Sequence, residues 1–302
     1  MNQTLRIGTR GSPLALAQAR MVATALRDAH GWGPERIEIV PITTTGDMVR
    51  DRPLAEVGGK ALWTRELDRA LAEGLTDLSV HSMKDVETLR PPELAIAAML
   101  PRADVRDRLI GADSIEALPR GARVGTSSPR RAAQLLARRP DLAIVPLRGN
   151  VETRLRKIQL GEADATLLAS AGLERLGHAE GIVLDDVLPA PAQGAIGVEV
   201  RADDRRTRAW VHAIDHRATH VCVAAERRLL ARLGGSCHSA VAALAQMERG
   251  RIHLQAEILA PHGREVQAGA VTFPAAKEDR AAELAAELLG RASPSLRALF
   301  AF

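Results

Sequence analysis

The chain has 302 residues, 46% of them apolar, with 41 Lys plus Arg against 37 Asp plus Glu, two cysteines, three Phe, three Trp and no Tyr. That length suits two domains with a smaller third. Two cysteines exclude a disulfide framework and a four-thiolate zinc site, no apolar run reaches the roughly 18 residues of a transmembrane helix, and so few aromatics argue against a base-stacking platform. All but four of the 41 basic residues are arginine; codon bias explains most of them, but guanidinium is also the better fork for carboxylate or phosphate. Met1–Arg10 lacks an apolar signal core, so no export and a cytoplasmic location are expected.

In chain order, Leu5–Arg10 reads as a short strand, followed by a tight turn and a helix that Ser12 caps and Pro13 opens. A helix is expected over Trp63–Ala72, and Gly74–Ser82 leads into a buried strand. The pattern then returns. Ala122–Gly125 repeats the first strand, Ser128 and Pro129 repeat the cap and first turn, Val151–Leu160 repeats the second helix, and Gly161–Ala169 repeats the second strand with Gly and Asp at matching places. Two similar α/β domains follow from this duplication, with a cleft between them, because parallel strands followed by helices place ligands at strand C-termini. Residues 218–233 form an amphipathic helix that ends at Gly234-Gly235, residues 251–273 alternate as strands about a turn at Pro261-His262-Gly263, and 277–290 are helical. The expected boundaries are 1–100 with 195–217 for the first domain, 101–194 for the second and 218–302 for a C-terminal α+β domain.

The candidate chemistry sits at the junctions. Arg10 flanks one helix N-terminus, and Arg130 and Arg131 lie in the first turn of another, where cations oppose the helix dipole. Either these are solvated helix starts or a negative ligand balances them. Arg148-Gly149-Asn150 with Arg154 adds basic groups at the next junction. The run His81-Ser82-Met83-Lys84-Asp85 leaves a buried strand, so Asp85 is either a general acid/base or the cap of the next turn. Cys237, just beyond the Gly-Gly stop, is an accessible candidate nucleophile, whereas Cys222 between Val221 and Val223 reads as a buried small hydrophobe. His212, His216 and His220 have the spacing of metal ligands on one helix face but no H-E-x-x-H pattern, and Gly58-Gly59-Lys60 lacks the P-loop frame; neither a metal nor a nucleotide triphosphate is expected. Arg138-Arg139 before Pro140 reads as a tolerant surface pair.

Taken together, Gly8–Ser12, Thr43–Asp47, Gly58–Lys60, His81–Asp85, Gly125–Arg131, Arg148–Asn150 with Arg154, Leu188–Ala195 and Gly234–Cys237 resemble the porphobilinogen deaminase family, the hydroxymethylbilane synthases. The resemblance runs over nearly the whole chain. It implies two domains like periplasmic binding proteins plus a third α+β domain, and a transferase that condenses four porphobilinogen molecules head to tail, with loss of ammonia, onto a dipyrromethane primer before hydrolysis releases a linear tetrapyrrole. It further implies a thioether from Cys237 to the dipyrromethane cofactor and Asp85 as the catalytic carboxylate beside Lys84. Ser82, Lys84, Thr126, Ser127, Ser128, Arg130, Arg131 and Arg148 match cofactor-binding positions, and Arg10, Ser12, Lys60, Arg154, Arg175 and Gln193 match substrate-binding positions. Each pyrrole carries two carboxylates, which suits guanidinium forks. The sequence departs from the family pattern at Trp63, Glu87 and Val105, where Phe, Pro and Pro are usual, while Ser236 and His238 around the cysteine stand at positions that vary within the family. A monomer without nucleic-acid or membrane partners is expected. A non-catalytic polycarboxylate-binding protein is the alternative, and it needs neither Cys237 nor Asp85.

Overall fold

The structure, a computed structural model, describes residues 4–44, 64–235, 239–277 and 279–300. The chain divides into two compact units, Met1–Ala103 with Gly194–His220 and Asp104–Gln193 with Val221–Phe302.

The first unit is built on strands β1 (Leu5–Arg10), β2 (Ile37–Ile42), β3 (Leu78–Ser82), β4 (Leu94–Met99) and β10 (Ile196–Arg201), in the order β2-β1-β3-β10-β4. The first three are parallel, and β10 enters antiparallel to both β3 and β4. Pro41 lies in β2, an edge strand where the missing N–H breaks no central ladder. Helix α1 (Pro13–His30) forms where the sequence places it: the Ser12 side chain accepts from the Ala15 N–H, and Gly31 at φ 64° closes the helix in the left-handed conformation. Ala15, Ala19, Val22 and Leu26 recur every three or four residues and bury one stripe. Ala19, Val22 and Leu26 of that stripe pack with Leu5, Ile7, Leu78, Val80 and Val198 into one core. Helix α2 (Arg65–Ala72) buries Leu67, Ala70 and Leu71.

The second unit repeats the plan. Strands β5 (Asp107–Ile110), β6 (Arg123–Gly125), β7 (Ala143–Val145), β8 (Ala165–Ala169) and β9 (Ile182–Leu184) run in the order β7-β6-β8-β5-β9. The strand directions match as well: β6 is parallel to β7 and β8, and β5 is antiparallel to β8 and β9. Helices α3 (Pro129–Arg138), α4 (Val151–Gln159) and α5 (Ser170–Arg175) follow β6, β7 and β8. The repeated Gly and Asp of the sequence now have a physical role. Arg6 donates its backbone N–H to Asp77 at 2.8 Å and its guanidinium to Asp77 and the Gly74 carbonyl. Arg123 does the same with Asp164 and Gly161.

The same unit carries a three-stranded antiparallel sheet of β11 (Val241–Glu248), β12 (Arg251–Leu259) and β13 (Val266–Pro274). The apolar faces of α7 (Arg217–Arg232) and α8 (Asp279–Arg291) cover it through Ala225, Leu229, Leu284 and Leu288 against Leu254, Ile258 and Phe273. Buried Glu226 of α7 ties this part to the preceding one, accepting from the N–H groups of Ala245 at 2.7 Å and Ala192 at 2.5 Å.

Candidate active site

In the first unit, the C-terminal ends of β1 and β3 open into a pocket lined by Arg10, Ser12, Gln18, Thr64, His81, Ser82 and Asp85. Arg10 is the last residue of β1, and Ser12 caps α1. Ser82 ends β3 and exchanges hydrogen bonds with buried Gln18 at 2.8–3.0 Å, which fixes both side chains. Asp85 closes the single 3₁₀ turn Met83–Asp85, with Lys84 half-buried beside it. The turn is held from below. The Met83 N–H donates to the Ala195 carbonyl at 3.1 Å, and the buried Met83 side chain fills the space that only a glycine leaves at position 197, where a Cβ would stand 2.1 Å from its sulfur. The structure places Asp85, which the sequence left as either a general acid/base or the cap of the next turn, on the pocket wall.

Beneath the pocket lies a charged network that the sequence reading did not find. The Arg90 guanidinium donates to Glu199 through Nε at 2.8 Å and Nη2 at 2.9 Å, to Glu87 at 2.9 Å, to Thr64 at 3.4 Å and to Asp68. Glu199 of β10 is fully buried and also accepts from His81 at 3.1 Å. Burial pushes its carboxyl up, but His81 and Arg90 outweigh burial and hold it at about 2. For Asp68 burial wins over Arg90, and its pKa is raised. Glu87 is therefore a working partner in this chain. Only its departure from the family pattern had marked it in the sequence.

In the second unit, Ser128 caps α3 by accepting from the Arg131 N–H at 3.4 Å, Thr126 accepts from the Ser128 N–H, and Ser127 donates to the Leu147 carbonyl. Of the two choices the sequence offered for Arg130 and Arg131, solvated helix starts do not describe them, and the one carboxylate they share balances only one of the two charges. Both are buried, and both grip Asp107 of β5, at 2.8 Å and 2.7 Å. Burial would raise the Asp107 pKa, but the two arginines hold it far below the usual carboxylate range. Gln193 joins them, donating to Asp107 at 2.9 Å and to the Val105 carbonyl at 2.7 Å. It follows Ala192, whose φ of 62° is strained for a side-chain-bearing residue and is held by Glu226. Asp107 was thus missed because its partners lie 23, 24 and 86 positions away. Arg148 precedes Gly149, and Asn150 caps α4 by accepting from the Thr153 N–H at 2.8 Å. Arg154 in the first turn of α4 donates to the Gly149 carbonyl at 2.9 Å. Arg175 ends α5, where burial lowers its pKa to about 10 although Glu174 opposes the shift.

Two site expectations, Lys60 and Cys237, lie outside the described residues, as do Gly58, Gly59, Trp63, Ser236 and His238. Cys222 is buried at 5% exposure, as its helix context implied. The three histidines do not share a helix. His212 ends α6 (Arg205–His212), the chain breaks at Ala213–His216, and His220 lies in α7. His216 and His220 are engaged by Thr219 and Asp215 at 2.8 Å each. Arg139, expected with Arg138 to be a tolerant surface residue, is mostly covered. It pairs with Asp141 and donates to the carbonyls of Ile115, Glu116 and Leu118, so it knots a loop to the end of α3.

Two family models match the chain: porphobilinogen deaminase, dipyrromethane cofactor binding domain, over residues 5–209, and porphobilinogen deaminase, C-terminal domain, over 220–290. The porphobilinogen deaminase of Sphingopyxis alaskensis is 58% identical over 98% of this chain and 96% of that protein. That of Paracoccus denitrificans is 54% identical over 95% and 94%. Among solved structures, a periplasmic substrate-binding protein of an ABC transporter from Coxiella burnetii is similar over 70% of this chain and 92% of that chain, at 15% identity and a TM-score of 0.43. The breadth of the two family models, joined to identities above half along nearly the whole length, means that this chain belongs to the porphobilinogen deaminase family of tetrapyrrole-forming transferases.

Proposed function

We propose that this chain condenses four porphobilinogen molecules head to tail on a dipyrromethane carried as a thioether on Cys237, and releases hydroxymethylbilane by hydrolysis. The observation that carries the residue assignments is the Asp85 carboxylate on the wall of a pocket that also holds Arg10, Ser12 and Ser82.

The donor set fits a polycarboxylate. In the second unit two buried arginines in the first turn of α3 share one aspartate, and Arg148, Arg154 and Arg175 are further guanidinium groups of the same unit. In this reading Thr126, Ser127, Ser128, Arg130, Arg131 and Arg148, with Ser82 and Lys84, hold the cofactor's acetate and propionate arms. Arg10, Ser12, Lys60, Arg154, Arg175 and Gln193 serve the incoming substrate. When bound, the dipyrromethane supplies the free pyrrole α-carbon on which the product grows. Asp85 accepts a hydrogen bond from the substrate's pyrrole N–H and bears the counter-charge as ammonia leaves its aminomethyl arm, so it stabilises the cation that forms. Lys84 beside it anchors a carboxylate. The chain works in the cytoplasm as a monomer, with porphobilinogen as its small-molecule partner and with neither nucleic acid nor membrane.

The test is colour and mass. Purified protein treated with an acidic aldehyde reagent for pyrroles should colour. Cys237→Ala should be folded, colourless, inactive and lighter by two pyrrole units, while Cys222→Ala keeps mass and activity. An active Cys237→Ala enzyme would overturn the attachment.

A further inference from the structure

The Arg90 network lies outside the substrate-contacting set, yet two of its members, Thr64 and His81, form part of the pocket wall with Asp85. An arginine has five N–H donors, and Arg90 uses them on Glu199 twice and on Glu87, Thr64 and Asp68 once each. These acceptors come from α2 and the residue before it, from the loop that leaves Asp85, and from the central strand β10. The side chain is only 9% exposed. Burial acts to lower its pKa, but the carboxylates around it raise it, so the cation is permanent.

The backbone around Asp85 is therefore held at two ends. Upstream, Met83 is seated over Gly197 and bonded to Ala195. Downstream, past Val86, Glu87 and Arg90 are bound into the network. Three carboxylates around one guanidinium are more than charge balance in the core requires, and a buried ion cluster is a poor way to gain stability alone. It is a good way to fix several elements in one geometry. We propose that Arg90 is a positioning residue for the reaction: by clamping Glu87 and Thr64 to Glu199 and Asp68, it holds the loop after Asp85 so that the carboxylate keeps one place in the pocket. The proposal rests on the assignment of Asp85 made above.

Lysine keeps the charge but offers three donors without the planar fork, so Arg90→Lys should fold, carry the cofactor and lose about tenfold or more in kcat, with KM changed less than about threefold. Glu87→Gln, at the more exposed rim of the network, is the milder variant and should lose a fewfold in kcat without loss of cofactor. Kinetics are taken per molecule of holoenzyme, counted by mass, so a merely structural role would lower yield or melting temperature and leave kcat alone. The deciding measurement is a double-variant cycle. If Arg90 acts through Asp85, adding Arg90→Lys to Asp85→Asn should cost almost nothing further. Full kcat in both Arg90→Lys and Glu87→Gln, or losses that multiply with that of Asp85→Asn, would overturn the proposal. Should Arg90→Lys fail to fold, Glu87→Gln and its cycle with Asp85→Asn decide the matter alone. A fully active Asp85→Asn enzyme would instead reject the site assignment itself, and so is distinguishable.

Discussion

Asp107 is the residue whose loss the structure allows to be judged most directly. Its carboxylate is fully buried and accepts from Arg130, from two nitrogens of Arg131 and from Gln193. Asp107→Asn preserves shape, removes the charge and turns an amide N–H toward guanidinium groups that already donate. Two buried cations then face each other without a counter-ion. Breaking a buried ion pair from one side costs about 3–5 kcal/mol, and at roughly 2–4 °C per kcal/mol for units of this size the melting temperature should fall by about 6–20 °C. The assay is thermal unfolding by circular dichroism. Asp164→Asn is the control, since its pair with Arg123 is 40–47% exposed and should matter little. Adding Arg130→Gln to Asp107→Asn removes one stranded cation and should recover part of the loss. A melting temperature for Asp107→Asn within about 2 °C of the parent would refute the argument, because the cluster could then not be a desolvated one.

Asp85→Asn should bind porphobilinogen but turn over about one hundredfold slower or worse, read as kcat per holoenzyme; near-normal kcat would return Asp85 to a structural role. Glu199 has a folded-state pKa of about 2 against an ordinary value near 4.5, so it contributes stability fully present above pH ~4.5 and lost as pH falls toward 2, on the order of 3 kcal/mol. Melting temperature followed from pH 6 to 2 should therefore fall more steeply for the parent than for Glu199→Gln, and parallel profiles would count against the network. Arg139→Leu should destabilise the chain more than Arg138→Leu, because Arg139 serves carbonyls of Ile115, Glu116 and Leu118 that have water as their replacement only if the loop opens; equal melting temperatures would contradict this.

What the sequence made legible was local. The Ser12 and Ser128 caps, the prolines after them and the paired strand–helix segments can be read because each signal spans a few residues and repeats. The roles of Arg130 and Arg131 could be only half read. The sign argument, that cations oppose a helix N-terminus, was sound. Part of the answer is a carboxylate on a strand more than twenty positions upstream, which no local pattern announces. Arg90 and Glu199, 109 positions apart, meet only because β10 inserts beside β3. The histidine series failed for a different reason: four-residue spacing suits one helix, but the helix ends at His212 and the next begins at Arg217, with the His216 ring accepting from the Thr219 N–H.

The two α/β sheets share a strand order, but their antiparallel strands arrive at different moments of synthesis. In the second sheet β5 is made first, so the set is complete at Leu184. In the first sheet β10 is made last, and β3 and β4 cannot be joined until Arg201 has left the ribosome. The earlier half of the chain must therefore wait, with the edges of β3 and β4 unpaired, while the later half closes its sheet. Loop closure over more than one hundred residues is slow, and unpaired edges are exposed to aggregation. The support under Asp85, made of Ala195, Gly197 and Glu199, travels on that same late strand. Formation of the Asp85 turn and completion of the first sheet thus become a single event: a nascent chain cannot hold that turn in place before its own strand β10 has been delivered.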